Sequence, residues 1–123
     1  MDNSKKAYPN IDAHIEKGDW NPIWDQLRTL DPDFLEAYLA FRSVPHRDGP
    51  LPQKFKELIL VAINAATTHL YGSGVRRHMK NAIRAGATKE EILETIQLTT
   101  VMGMHSCNLA VPILLEEISE TQT

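Results

Sequence analysis

With 123 residues, 42% of them hydrophobic and 24% charged, the chain has the size and composition of one ordinary folded domain. Its 13 Lys and Arg against 16 Asp and Glu leave a net charge of -3, so there is no basic excess to neutralise a phosphate backbone and nucleic acid is not an expected partner. A single cysteine, Cys107, excludes an intrachain disulfide, a four-thiolate metal site and dithiol redox chemistry within one subunit.

Apolar residues recur at three- and four-residue spacing almost everywhere and strict alternation is absent, which predicts an all-α chain. Residues 1–10 read as a loose tail, with lysines but no apolar run behind them, and residues 1–20 as a peripheral segment; a cytoplasmic protein is expected. A short helix over residues 11–17 ends at Gly18. Asn21-Pro22 opens a helix to about Leu30, and Asp31-Pro32 opens another to about Val44, with Phe34, Tyr38, Leu39 and Phe41 as its buried stripe. Residues 45–52 form a connector. A long helix over residues 53–69, apolar on nearly every side after its charged first turn, is expected at the centre of the domain. Its densest apolar stretch, residues 58–66, is far short of the ~20 residues that cross a bilayer, so no membrane span is expected. Gly72-Ser73-Gly74 breaks this helix, a second over residues 75–85 stops at Gly86, and Thr88 to Glu91 forms a capping box for a third that runs to about Met102. A last helix over residues 108–119 carries Pro112 near its first turn.

The stretch from Leu51 to Ile92 contains Lys56-Glu57-Leu58-Ile59, then His78 followed by Ala82, Gly86, Ala87, Thr88 and Glu90-Glu91-Ile92. Over residues 30–118 it resembles the carboxymuconolactone decarboxylase family, which includes the alkylhydroperoxidase D-like proteins. The resemblance implies an all-α bundle around a buried helical hairpin, one domain over residues 1–123, assembled as a homo-trimer or homo-hexamer with pockets near subunit interfaces. The family's peroxidase branch carries Cys-x-x-Cys-x-x-x-His preceded by a Glu. Counting back from His78, the cysteine positions fall on Gly74 and Tyr71; counting forward from Glu57, the first falls on His69. Both alignments lack the thiols, so peroxidase activity does not carry over. The resemblance points instead to a thiol-independent lyase of aromatic-compound catabolism, a decarboxylase acting on a small carboxylated lactone or related acid without a cofactor.

Glu57, His69, His78 and His105 are the candidate catalytic groups. Glu57 and His69 are about 18 Å apart on one straight helix and cannot touch. His78, on the returning helix, could approach His69 at the turn, or meet Glu57 if the two helices pack closely. In one reading Glu57 orients His78 as a general acid or base while Arg76, Arg77 and Tyr71 hold a substrate carboxylate. In a second, His69, His78 and His105 bind a divalent transition metal for hydrolysis, hydration or isomerisation. In a third, the chain binds ligands or assembles without catalysis. The ordinary alternatives are a helix-dipole role for Glu57, an interface or capping role for His105, and a solvated face for the run Arg76, Arg77, Lys80 and Arg84. His14 and His46 read as solvated surface residues, Trp20 and Trp24 as core or interface anchors, and Cys107, Met102 and Met104 as core.

Overall fold

The computed structural model describes residues 6–121, and all regular structure among them is helical. The chain divides into two units, one ending at Arg47 and one starting at Asp48, inside the expected connector.

The first unit holds α1 (Pro9–Lys17), α2 (Trp24–Leu30), α3 (Pro32–Ser43) and a 3-10 turn at Val44–His46. Pro9 suits the first turn of α1, where its missing N–H is no loss, and Gly18 ends the helix at φ 74°, the left-handed region that glycine adopts without a Cβ penalty. The Asn21 side chain accepts a hydrogen bond from Ile23 N at 3.2 Å in a turn, so α2 starts two residues later than Asn21-Pro22 suggested. Asp31 caps α3 as expected, accepting from Phe34 N at 3.0 Å.

Ile11, Trp24, Leu35 and Leu39 form the core of this unit, with Tyr8, Trp20 and Leu27 packed around it. The buried stripe of α3 is therefore Leu35 and Leu39, and the expectation for Phe34, Tyr38 and Phe41 is overturned. These three share a neighbouring face and are 62%, 42% and 77% exposed. Residues 1–5 of the expected tail lie outside the described residues, but the following ones are anchored: Lys6 and Tyr8 bind Asp33, and the Glu36 carboxylate accepts from Asn10 N, Ile11 N and the Asn10 side chain at 2.7, 2.9 and 2.8 Å. His14 and His46 also have partners: the His14 ring lies 2.8 Å from Asp19 and edge-on to Trp24, and His46 Nδ1 donates to the Arg42 carbonyl at 3.0 Å.

The second unit holds α4 (Gln53–Ala65), α5 (Gly72–Arg84), α6 (Lys89–Val101), a 3-10 turn at Met102–Met104 and α7 (His105–Thr121). α4 ends four residues before the predicted His69. A turn follows in which Tyr71 N donates to the Asn64 carbonyl at 2.8 Å and Leu70 takes φ 46°. The Gly-Ser-Gly segment, read as a breaker, is the first turn of α5. α6 opens with the capping box, Thr88 Oγ1 accepting from Glu91 N and Glu91 accepting from Thr88 N, and Lys54 ties this box to α4 by an ion pair of 3.0 Å with Glu91. Leu58, Ala82, Ala87 and Ile92 make the core where α4, α5 and α6 meet.

Two expectations fail here for the same reason. α4 buries Glu57, Leu58, Val61 and Asn64 but leaves Phe55, Ile59 and Ile63 about half exposed, because its second apolar side has no neighbour within the unit. Among the described residues α7 packs mainly against the turn before it, and all its residues are exposed, Cys107 and the large apolar side chains included. Met102 and Met104 are likewise exposed, at 58% and 60%. Pro112 stands in the interior of α7, where it cannot donate the usual hydrogen bond, rather than near its start. The segment Lys89–Thr121, taken as one rod, is long and apolar enough to cross a membrane by length and composition, which the shorter 58–66 run had not suggested. Glu90, Glu91 and Glu94 stand at one end of that rod and Glu116, Glu117 and Glu120 at the other.

Candidate active site

α4 and α5 run antiparallel, joined by the turn at residues 66–71, so positions later on α4 face positions earlier on α5. Glu57, Val61 and Asn64 recur at four and three residues and line the face of α4 turned to α5. Gly74, His78 and Ala82, each four apart, form the answering face of α5.

Between these faces Glu57 Oε2 and His78 Nδ1 lie 2.7 Å apart, with 11% and 5% of their side chains exposed. A carboxylate so placed accepts the Nδ1 proton of the imidazole, fixes the ring orientation and leaves Nε2 as the nitrogen that exchanges a proton. Burial without a partner would be costly for either group, so the bond also secures the hairpin. Whether Glu57 reaches His78 was open in the sequence; the close packing permitted by the small residues of α5 brings them together.

One turn away, Asn64 and Gly74 meet. The Asn64 amide donates to the Leu60 carbonyl at 2.7 Å, and a Cβ on residue 74 would fall 2.6 Å from Asn64 Cγ and 2.8 Å from Tyr71 Cδ1. In the register counted back from His78, Gly74 is one of the two positions where the peroxidase pattern has cysteine. Here the Asn64 side chain occupies the space that a side chain at 74 would enter, which gives the missing thiol a steric basis in this chain.

A cavity of about 520 Å3 opens on the adjacent face of α5. Val75, Met79 and Ile83 supply its apolar wall, Arg76 and Lys80 its cations, and Asn64 its neutral polar group. Glu57 and His78 are not part of this lining, and Asn64 is the residue shared between the cavity wall and the packed face. Sequence reasoning singled out Arg76, treated Lys80 as part of a solvated face, and missed Asn64. The available signal for Asn64 was its place as a lone amide within an apolar helix, in register with Glu57 and Val61.

The other candidates are dispersed. His69 is exposed in the turn after α4, its ring edge-on to Tyr71 at 6.0 Å, and His105 is exposed at the start of α7. Tyr71 is half-buried at the N-terminus of α5 and, like half-buried Arg77, is not in the cavity wall. Among the described residues no three His, Cys, Asp or Glu side chains converge as metal ligands would. The expected set of His69, His78 and His105 is thus not assembled within one chain: two lie on exposed segments, and the third is held between α4 and α5 with Nδ1 engaged by Glu57.

Comparison with known proteins agrees with this frame. The carboxymuconolactone decarboxylase family profile matches residues 32–114, more than half of the chain. A protein from Paracoccus denitrificans named uncharacterized protein 4 in cox locus is 37% identical over 67 residues, covering 54% of this chain and 59% of that protein. The crystal structure of a provisionally named gamma-carboxymuconolactone decarboxylase subunit from Burkholderia xenovorans matches with a TM-score of 0.81 at 38% identity, over 96% of this chain and 48% of that one. The matched regions therefore span about half to three-fifths of these relatives. With the helical hairpin, the paired Glu57 and His78 and the family profile in agreement, the chain belongs to the carboxymuconolactone decarboxylase family.

Proposed function

We propose that this chain is a thiol-independent lyase that decarboxylates a small carboxylated lactone or related acid by general acid-base chemistry. The observation that carries the reading is the buried 2.7 Å bond between Glu57 and His78. Loss of CO2 leaves an electron pair on the substrate carbon, and that carbon must then take a proton. His78, oriented through Nδ1 by Glu57, is a group suited to deliver it from Nε2. Arg76 and Lys80 on the cavity wall suit the substrate carboxylate, and Val75, Met79 and Ile83 suit its hydrocarbon part. The substrate works as a small-molecule partner of a homo-trimer or homo-hexamer, a state supported by the uncovered apolar side of α4 and by the exposed α7.

The test is CO2 release from carboxymuconolactone and related carboxylated lactones. His78→Ala is expected to lower kcat by about 100-fold or more, the range of general acid-base catalysis, with the circular dichroism spectrum retained. A folded His78→Ala that turns over like the unaltered protein would remove His78 from the chemistry.

A non-catalytic ligand-binding role is favoured by one observation, that the cavity wall includes neither Glu57 nor His78. Carboxylate binding that depends on Arg76 and Lys80, with no turnover across the panel, would identify that role.

A further inference from the structure

The cavity beside α5 is a groove with a direction. Gly72, Val75 and Met79 stand three and four residues apart and share one face of the helix, with Arg76 and Lys80 each one residue further round. From the two cations toward the start of α5 the wall runs over Val75 and Gly72 to Leu70 in the turn and Ala65 at the end of α4, with Asn64 as the neutral polar group among them. Backbone bonds hold Leu70 in this place. Its N–H donates to the Ala66 carbonyl at 2.9 Å, the next N–H donates to the Asn64 carbonyl at 2.8 Å, and between them the residue takes φ 46°, an unusual conformation for a leucine. Gly72 is different: its φ is not positive, and a Cβ added there would meet nothing within 4 Å. It leaves the floor of the groove open where the fold itself does not require a glycine. Among the described residues no carboxylate and no aromatic ring lines the groove, which favours an anion over a cation and an aliphatic chain over a stacked ring. Met79, half-buried and flexible, suits the same kind of ligand.

We propose that the acid bound here carries an unbranched hydrocarbon chain of about eight carbons, and that Gly72 determines this length. The inference rests on the reading above that Arg76 and Lys80 hold the substrate carboxylate, and it names the class of acid they hold. Residue 78 marks the level midway between the two cations, and from there to Gly72 is six residues of helix, about 9 Å at the usual rise. An extended chain advances ~1.2 Å per bond, so about seven bonds, those of an eight-carbon acid, reach from the carboxylate to Gly72. Leu70 and Ala65 close the line beyond it. The size of the cavity agrees, since 520 Å3 is room for about 17 waters, more than a lactone ring and its carboxylates displace.

Isothermal titration calorimetry on the full chain tests this with straight-chain carboxylates from butanoate to dodecanoate, each below its micelle concentration. Affinity is expected to rise about two- to fourfold per added methylene up to octanoate, as burial of each group implies, and to level off beyond it. 1-Octanol, which lacks the charge, is expected to bind about tenfold more weakly than octanoate, and Arg76→Gln/Lys80→Gln to remove that difference. Gly72→Leu fills the end of the groove and is expected to bring the plateau down to about five carbons while butanoate still binds. Should that variant lose helical content by circular dichroism, Gly72→Ala takes its place, with a plateau lowered by about one carbon. Four results would overturn the proposal: no binding of octanoate, a response flat in chain length, octanol binding as well as octanoate, or an unmoved plateau in a folded Gly72→Leu. Binding is read without turnover, so the two readings fail separately. A chain that binds octanoate in this way but releases no CO2 from any lactone loses the lyase reading and keeps the chain-length site; one that decarboxylates lactones but ignores chain length does the reverse.

Discussion

At the scale of single residues, the geometry around Gly74 makes a sharp demand. Adding one methyl group at Gly74 pushes into Asn64 and Tyr71, so Gly74→Ala is expected to cost about 1–3 kcal/mol in urea unfolding, as overpacking does. Asn64→Ala removes the main obstacle. The double variant should therefore be more stable than the sum of the two single effects, a coupling that a double-mutant cycle measures directly. The Glu57–His78 pair gives the converse case, in which removing a partner exposes a buried need. Glu57→Ala is expected to cost about 2 kcal/mol in the same measurement, because the imidazole loses a charge-assisted bond in a buried place. Glu57 and His78 were legible as candidates because a carboxylate and an imidazole are chemically conspicuous, although their meeting depended on interhelical distance, which no sequence spacing fixes. Asn64 was passed over because a lone amide within a long apolar helix is chemically less conspicuous than a carboxylate or an imidazole. The histidines His69, His78 and His105 do not converge within one chain, because residue type was visible in the sequence and direction in space was not.

At the scale of elements, the helix ends were largely readable and the helix faces were not. Gly18, Asp31, Gly86 and the Thr88 box act through bonds to residues within a turn, so local sequence suffices. Thr88→Ala removes the acceptor for Glu91 N and should cost about 1 kcal/mol by thermal unfolding. The faces depend on what packs opposite. On α3 the sequence offers Phe34, Tyr38 and Phe41 as readily as Leu35 and Leu39, and only the neighbouring α1 and α2 decide for the leucines. α1 is held to α3 through Glu36. Burial raises the pKa of this carboxyl, but the N–H groups of Asn10 and Ile11 and the Asn10 side chain outweigh it and hold the pKa below the usual carboxylate value. A depressed folded pKa means that the ionised Glu36 stabilises the unit at neutral pH, and that this contribution fades as acid titrates the group, in the range below about pH 4. Glu36→Gln is accordingly expected to lower the melting temperature at pH 7 and to show a shallower loss of stability on acidification than the unaltered chain.

At the scale of the whole molecule, the exposed apolar residues share one explanation. Phe55, Ile59 and Ile63 on α4, Met102 and Met104 in the turn, and Cys107 on α7 were read as core in the sequence, and the single chain leaves them in water. The apolar pattern was genuine, but a sequence does not state whether the surface that covers a residue belongs to its own chain. If a second copy provides the cover, the melting temperature must rise with protein concentration, by the mass action that links association to stability. A melting temperature independent of concentration over two decades would speak against assembly of the folded chain.

The close approach of Asn64 and Gly74 also sets an order in which this chain can change. A side chain at position 74 is costly while an asparagine stands at 64, because the Asn64 side chain must swing out of the space that a Cβ would enter. A smaller residue at 64 lowers that cost, and a side chain at 74 in turn raises the cost of a large residue at 64. Among related sequences the two positions should therefore vary together, with a glycine at 74 accompanying a bulky residue at 64 and a small residue at 64 accompanying any side chain at 74.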